Sequence, residues 1–71
     1  MAIGKLAVCE QIAASLREFG YPSVTAEMIS ECLDAWIAKK EPLPHGVIGM
    51  FAQRQFAEIE EERPGALAVL K

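Results

Sequence analysis

Basic charge, cysteine and histidine are all scarce in this chain, and each shortage removes a class of function. Its 71 residues carry 7 Lys and Arg against 10 Asp and Glu, for a net charge of −3. An acidic body has no long-range attraction to phosphate, so generic binding to DNA, RNA or an anionic membrane surface is not expected. With 2 Cys and 1 His, the chain falls short of the closely spaced four-ligand sets of structural zinc, and no cofactor is expected. No stretch approaches the roughly 18 apolar residues of a membrane span. Lys5 is the only basic side chain near the N-terminus, and Glu10 and Gln11 interrupt the apolar run there. No signal peptide is therefore read, and a cytoplasmic location is expected.

What the chain does have is apolar residues, at 52%. A domain of about 70 residues buries only a modest core, one that rarely supplies more than roughly 3–5 kcal/mol. Small bodies have much surface to cover with polar groups, so an apolar surplus implies a subunit interface.

The stretch Thr25–Lys40, TAEMISECLDAWIAKK, has the clearest pattern. At 100° per residue Met28, Ile29, Cys32, Leu33, Trp36 and Ile37 share one half of a helix, while Glu27, Ser30, Glu31 and Asp34 share the other. Thr25 is placed as N-cap, with Val24 and Ile29 positioned as a hydrophobic staple. Glu27 in the first turn and Lys39–Lys40 in the last complement the helix dipole. Trp36 is assigned to the core face.

Before it, Ile3–Phe19 reads as a helix whose stripe is Leu6, Cys9, Ile12, Ala13, Leu16 and Phe19. Gly20 and Pro22 end it, and the turn to Val24 is short enough to hold the two helices together. After it, Glu41-Pro42-Leu43-Pro44-His45-Gly46 is a break that the prolines hold extended, with Leu43 as a poor N-cap and Pro44 as first helical residue.

The third helix, Val47–Arg63, has an uneven pattern. Ile48, Ala52, Phe56 and Ile59 make a complete core stripe, yet Val47, Met50 and Phe51 point elsewhere. A helix apolar on more than one side is buried on more than one side. Val47, Met50, Phe51 and Arg54 are therefore the expected protein interface, with the C-terminal tail as the competing cover for the apolar three. Gly46 and Gly49 are expected to let a neighbouring helix approach. The tail, Ala66–Lys71, reads either as a final helical turn on the core or as a free end.

The remaining reactive side chains favour plain readings. Cys9 and Cys32 lie on apolar faces and lack the local positive charge of reactive thiols. His45 stands in a loop with no nucleophile brought near it, so a turn or cap role is expected. Glu58, Glu60, Glu61 and Glu62 read as a solvated acidic face; the Glu-x-x-His pairs of di-iron bundles do not occur. No catalytic or metal site is expected.

The segment LREFGYPSVTAEMISECL resembles the first half of ubiquitin-associated three-helix domains, in which a Gly-aromatic loop follows helix one. It covers less than a third of the chain, the second helix expected here is longer, and no functional residue carries over. In size and Ala/Glu-rich style the chain also resembles small actinobacterial and actinophage proteins.

The sequence thus predicts one all-α domain over 1–71, a small bundle of three principal helices. The expected function is a non-enzymatic protein–protein interaction module, self-associating as a homodimer. A phage or mobile-element protein that binds and modulates a host protein fits that description. The alternative is a helix-turn-helix-like DNA-binding accessory of transcription or recombination. It would read DNA with a third helix that offers only Arg54 and Arg63 beside the glutamates.

Overall fold

A computed structural model describes residues 4–70. Three helices follow in order, α1 Lys5–Phe19, α2 Ala26–Ile37 and α3 Val47–Glu62, with no strand among the described residues. The all-α expectation holds. The expected start of α1 at Ile3 lies outside the described residues. No helix among them is long and apolar enough to cross a membrane.

Helix α2 packs against both others, whereas α1 and α3 touch each other least. The body measures 29 × 29 × 19 Å. Its thin dimension is about two helix diameters. The core gathers Cys9, Ile12, Ala13 and Leu16 from α1, Ile29, Cys32 and Leu33 from α2, and Ile48, Ala52 and Phe56 from α3. Trp36 is half-buried and tilts against Phe56, with ring centroids 5.9 Å apart.

The stripe of α1 is corrected at its ends. Cys9, Ile12, Ala13 and Leu16 are buried as expected, but Leu6 is 68% and Phe19 71% exposed. At 100° per residue the two lie at opposite margins of the stripe, each about 70° from its centre, where cover from neighbouring elements is incomplete.

Local signals account for the first two helix boundaries they mark. The Thr25 hydroxyl accepts from the backbone N–H of Met28 at 3.3 Å, and Val24 and Ile29 are both buried, as the cap and staple require. At the end of α1, Gly20 takes φ +124°; Tyr21 N–H donates to Leu16 C=O and Gly20 N–H to Arg17 C=O. This paired closure satisfies carbonyls the helix would otherwise leave open.

Helix α2 ends earlier than its sequence suggests. It stops at Ile37 instead of Lys40. Lys40 N–H donates to Ala35 C=O and Lys39 N–H to Trp36 C=O, so the chain reverses through the same closure used by α1. Here a lysine occupies the left-handed position, with φ +58° at Lys39.

The break before α3 is also corrected. Leu43 is not a cap; it is buried in the core. The helix begins at Val47 behind Gly46, whose φ of 58° and ψ of −124° suit only glycine. The Glu41–Pro42 peptide is cis. Gly49 does admit a close neighbour, but that neighbour is the chain's own Leu43–Pro44 segment, while nothing lies within 4 Å of a Cβ built on Gly46. The expectation of a neighbouring helix at this pair is replaced by a loop held against α3.

The tail forms turns, not a helix. Ala66 N–H donates to Arg63 C=O and Leu70 N–H to Leu67 C=O. Leu67 is fully buried and Leu70 packs against the core, so the tail folds onto the body. Glu60, one of the acidic residues of α3, accepts from the Gly65 N–H at 2.6 Å.

Candidate functional site

The outer face of α3 presents large apolar side chains to the surface. Val47 is 48% and Met50 67% exposed, although each is apolar. With Phe51, Gln53, Arg54 and Ala57 they line a shallow cavity of about 520 Å³. The helix supplies this face because its core stripe is satisfied on the opposite side: Ile48, Ala52 and Phe56 are buried there.

Phe51 sits at the edge of this face and is half-buried. Its cover within the chain comes from the end of α1 and the turn after it. The Phe51 ring meets Phe19 edge-on at 5.7 Å and Tyr21 at 5.5 Å. Periodicity misses this aromatic trio, because Phe19 was expected in the core stripe and Tyr21 in a bare turn. The signal that marks it is the closeness of Phe19 and Tyr21 in a chain that is only 7% aromatic.

A second cavity of about 270 Å³ runs along the seam of α1 and α3, lined in part by Phe19, Phe51, Arg54 and Glu58. Phe51 and Arg54 border both hollows, so the two are continuous from α3 to the end of α1. The four expected interface residues therefore lie on one continuous surface. Neither Arg54 nor Glu58 takes part in any of the ion pairs found among the described residues, which join Lys5 to Asp34, Arg17 to Glu10 and His45 to Glu31.

The other reactive groups make contacts within the fold. Cys9 and Cys32 are free thiols with no exposed surface. Burial pushes the Cys9 thiol up, against the pull of the Lys5 ammonium. Burial also pushes Cys32 to about 11, with the Glu31 carboxylate and the Cys9 thiol adding to it. Cys32 Sγ donates to the Pro44 carbonyl at 3.4 Å and so ties α2 to the loop. His45, in a left-handed conformation with φ +71°, reaches back to Glu31 on α2. Arg17 donates to the Val24 carbonyl at 2.8 Å and to Glu10, holding the first turn to α1. Among the described residues, no group of three or more His, Cys, Asp and Glu gathers in a metal-holding cluster.

No family model, no curated protein and no solved structure matches this chain.

Proposed function

We propose that this protein is a small non-enzymatic interaction module that self-associates through the outer face of α3. The observation that carries this reading is the exposure of Val47 and Met50 on a helix whose core stripe is already complete. Large apolar side chains on a continuous surface, with an arginine that joins none of the ion pairs among the described residues, have the composition of a protein contact, where arginine and apolar anchors are enriched. A phage or mobile-element protein that modulates a host protein would work through such a face, the host chain competing with self-association. The DNA-binding alternative has less in its favour. Arg54 and Arg63 are the only bases of the α3 segment, and Glu58, Glu60, Glu61 and Glu62 crowd its end.

Sedimentation equilibrium at high micromolar concentration tests this reading. The wild-type chain is expected to be a dimer. Met50→Glu leaves the core untouched, because the side chain is exposed. Fully burying a large apolar side chain contributes roughly 1.5–3 kcal/mol, and a symmetric dimer loses two, so a weakening of at least about 100-fold is expected. A wild-type monomer at that concentration would sink the self-association.

A further inference from the structure

We infer, resting on that reading, that the occupant of the α3 face is the α3 of a second copy, running antiparallel across a two-fold axis. In this register Val47 lies against the partner's Ala57, and Met50 against the partner's Arg54.

The argument begins with charge. Helix α3 has no side-chain N-cap, no acid in its first turn and no base in its last. Its glutamates gather toward the C-terminal end instead. A helix is positive at its N-terminus and negative at its C-terminus, so α3 carries its charge at the unfavourable end. A parallel copy would set glutamates beside glutamates. An antiparallel copy sets the acidic half of each helix beside the uncapped N-terminus of the other. In the inferred register Glu58 stands opposite the partner's Gly46, the residue that precedes α3.

Spacing gives the same answer. Val47, Met50, Arg54 and Ala57 follow one another at three, four and three residues, the seam spacing of paired helices. All four line the cavity on this face. Antiparallel pairing alternates the two kinds of seam position, so small Ala57 faces Val47 and the long stem of Arg54 lies over Met50. The guanidinium then reaches past the apolar seam to water.

The second cavity accounts for the width of the contact. A stable interface removes about 800 Å² from each partner, roughly a sixth of the 4907 Å² this chain exposes. The Val47–Ala57 seam is only about 15 Å long. Phe51, beside the seam and near the two-fold axis, brings Phe19 with it, and that ring is 71% exposed in the single chain. Burying both rings in each copy extends the contact from α3 onto the end of α1.

Disulfide trapping between variants that each carry one added surface cysteine tests the register. Val47→Cys and Ala57→Cys chains are mixed in a glutathione buffer and the products are separated by mass. Cys9 and Cys32 are fully buried and stay out of the exchange, and wild-type protein is the control. Both substituted positions are exposed, and circular dichroism confirms that each variant is folded. The mixed 47–57 product is expected to exceed the 47–47 product at least tenfold. Predominant 47–47 product would overturn the antiparallel register. So would the absence of any cross-link in a sample that sediments as a dimer, because another face would then hold the copies together. Both results leave self-association standing. A wild-type monomer in sedimentation removes self-association and the register together.

Discussion

A Cβ built on Gly49 would lie 2.3 Å from the carbonyl oxygen of Pro44. The same oxygen accepts from the Cys32 thiol, so the loop before α3 is held between α2 and the first turn of α3. Leu43, next to it, fills the core. The glycine is therefore a packing residue in a helix that would otherwise gain from alanine.

Gly49→Ala is expected to destabilise the protein. Alanine restores about 1 kcal/mol of helix propensity. Against that, the close atom is backbone held in place by Leu43 and Cys32, and it cannot swing aside as a flexible side chain would. Overpacking of this kind costs about 1–3 kcal/mol, occasionally more. With the clash at the upper end of that range, a net loss of about 2 kcal/mol is expected. In a domain of this size it lowers Tm by about 8–16 °C. An unchanged or raised Tm in a thermal melt would mean that the loop is free to move off the helix.

Lys39→Gly is expected to have the opposite sign. Lys39 has φ +58° in the turn that closes α2. A side chain in that region costs roughly 1–2 kcal/mol, and glycine returns about 0.5–1 kcal/mol of that through its freer unfolded chain. The variant should gain about 0.5–1 kcal/mol, visible as a Tm rise of a few degrees. A fall in Tm would show that the lysine side chain contributes more than its backbone costs.

These two sites also mark where the sequence is legible. Thr25, Val24 and Gly20 act on their immediate neighbours, so their roles can be read from spacing alone. The end of α2 cannot. Ala38, Lys39 and Lys40 are all good helix formers, and no glycine announces the reversal that the Ala35 and Trp36 carbonyls accept. Leu43 is visibly apolar, but that it fills the core is decided by distant elements. The exposure of Phe19 is invisible for a related reason: it lies at the margin of the α1 stripe, and what covers a marginal residue is decided by distant elements. The face of α3 was legible because the core stripe Ile48–Ala52–Phe56 accounts for one side and leaves Val47 and Met50 over. The intramolecular cover on Phe51 was not, because it comes from residues assigned to another layer and to a turn.

The two thiols give a pH dependence with a definite sign. The Cys32 thiol is raised to about 11 in the folded chain, above the ordinary thiol value of about 8.5. Unfolding therefore releases a proton over the interval between the two. The contribution to stability is complete below the ordinary value and is lost as pH rises through about 11. Cys9 is shifted in the same direction. Urea unfolding at pH 8 and pH 10 should show lower stability at the higher pH, and Cys32→Ala should flatten that difference. At pH 8 a bulky thiol reagent should label both cysteines slowly in the native state and rapidly in urea. Fast native labelling would place a thiol at the surface and contradict its burial.

The aromatic trio separates what Phe51 does within one chain from what it does between chains. Phe19 and Phe51 meet edge-on at 5.7 Å, a geometry in which aromatic pairs contribute about 0.5–1.5 kcal/mol beyond their buried area. Phe19→Ala, Phe51→Ala and the double variant form a cycle whose coupling energy isolates that contact. Measured by denaturant unfolding at low micromolar concentration in the Met50→Glu background, chosen to remove the proposed association, the coupling is expected within that range. The Phe51→Ala variant alone should lose more stability than Phe19→Ala, since Phe51 is half-buried and Phe19 is mostly exposed. A coupling near zero would mean that the Phe19 and Phe51 rings meet too weakly to hold α1 against α3. A coupling within the range, together with a dimer in the Met50 background, would show instead that the trio lies inside each subunit and that the contact between copies does not depend on Met50.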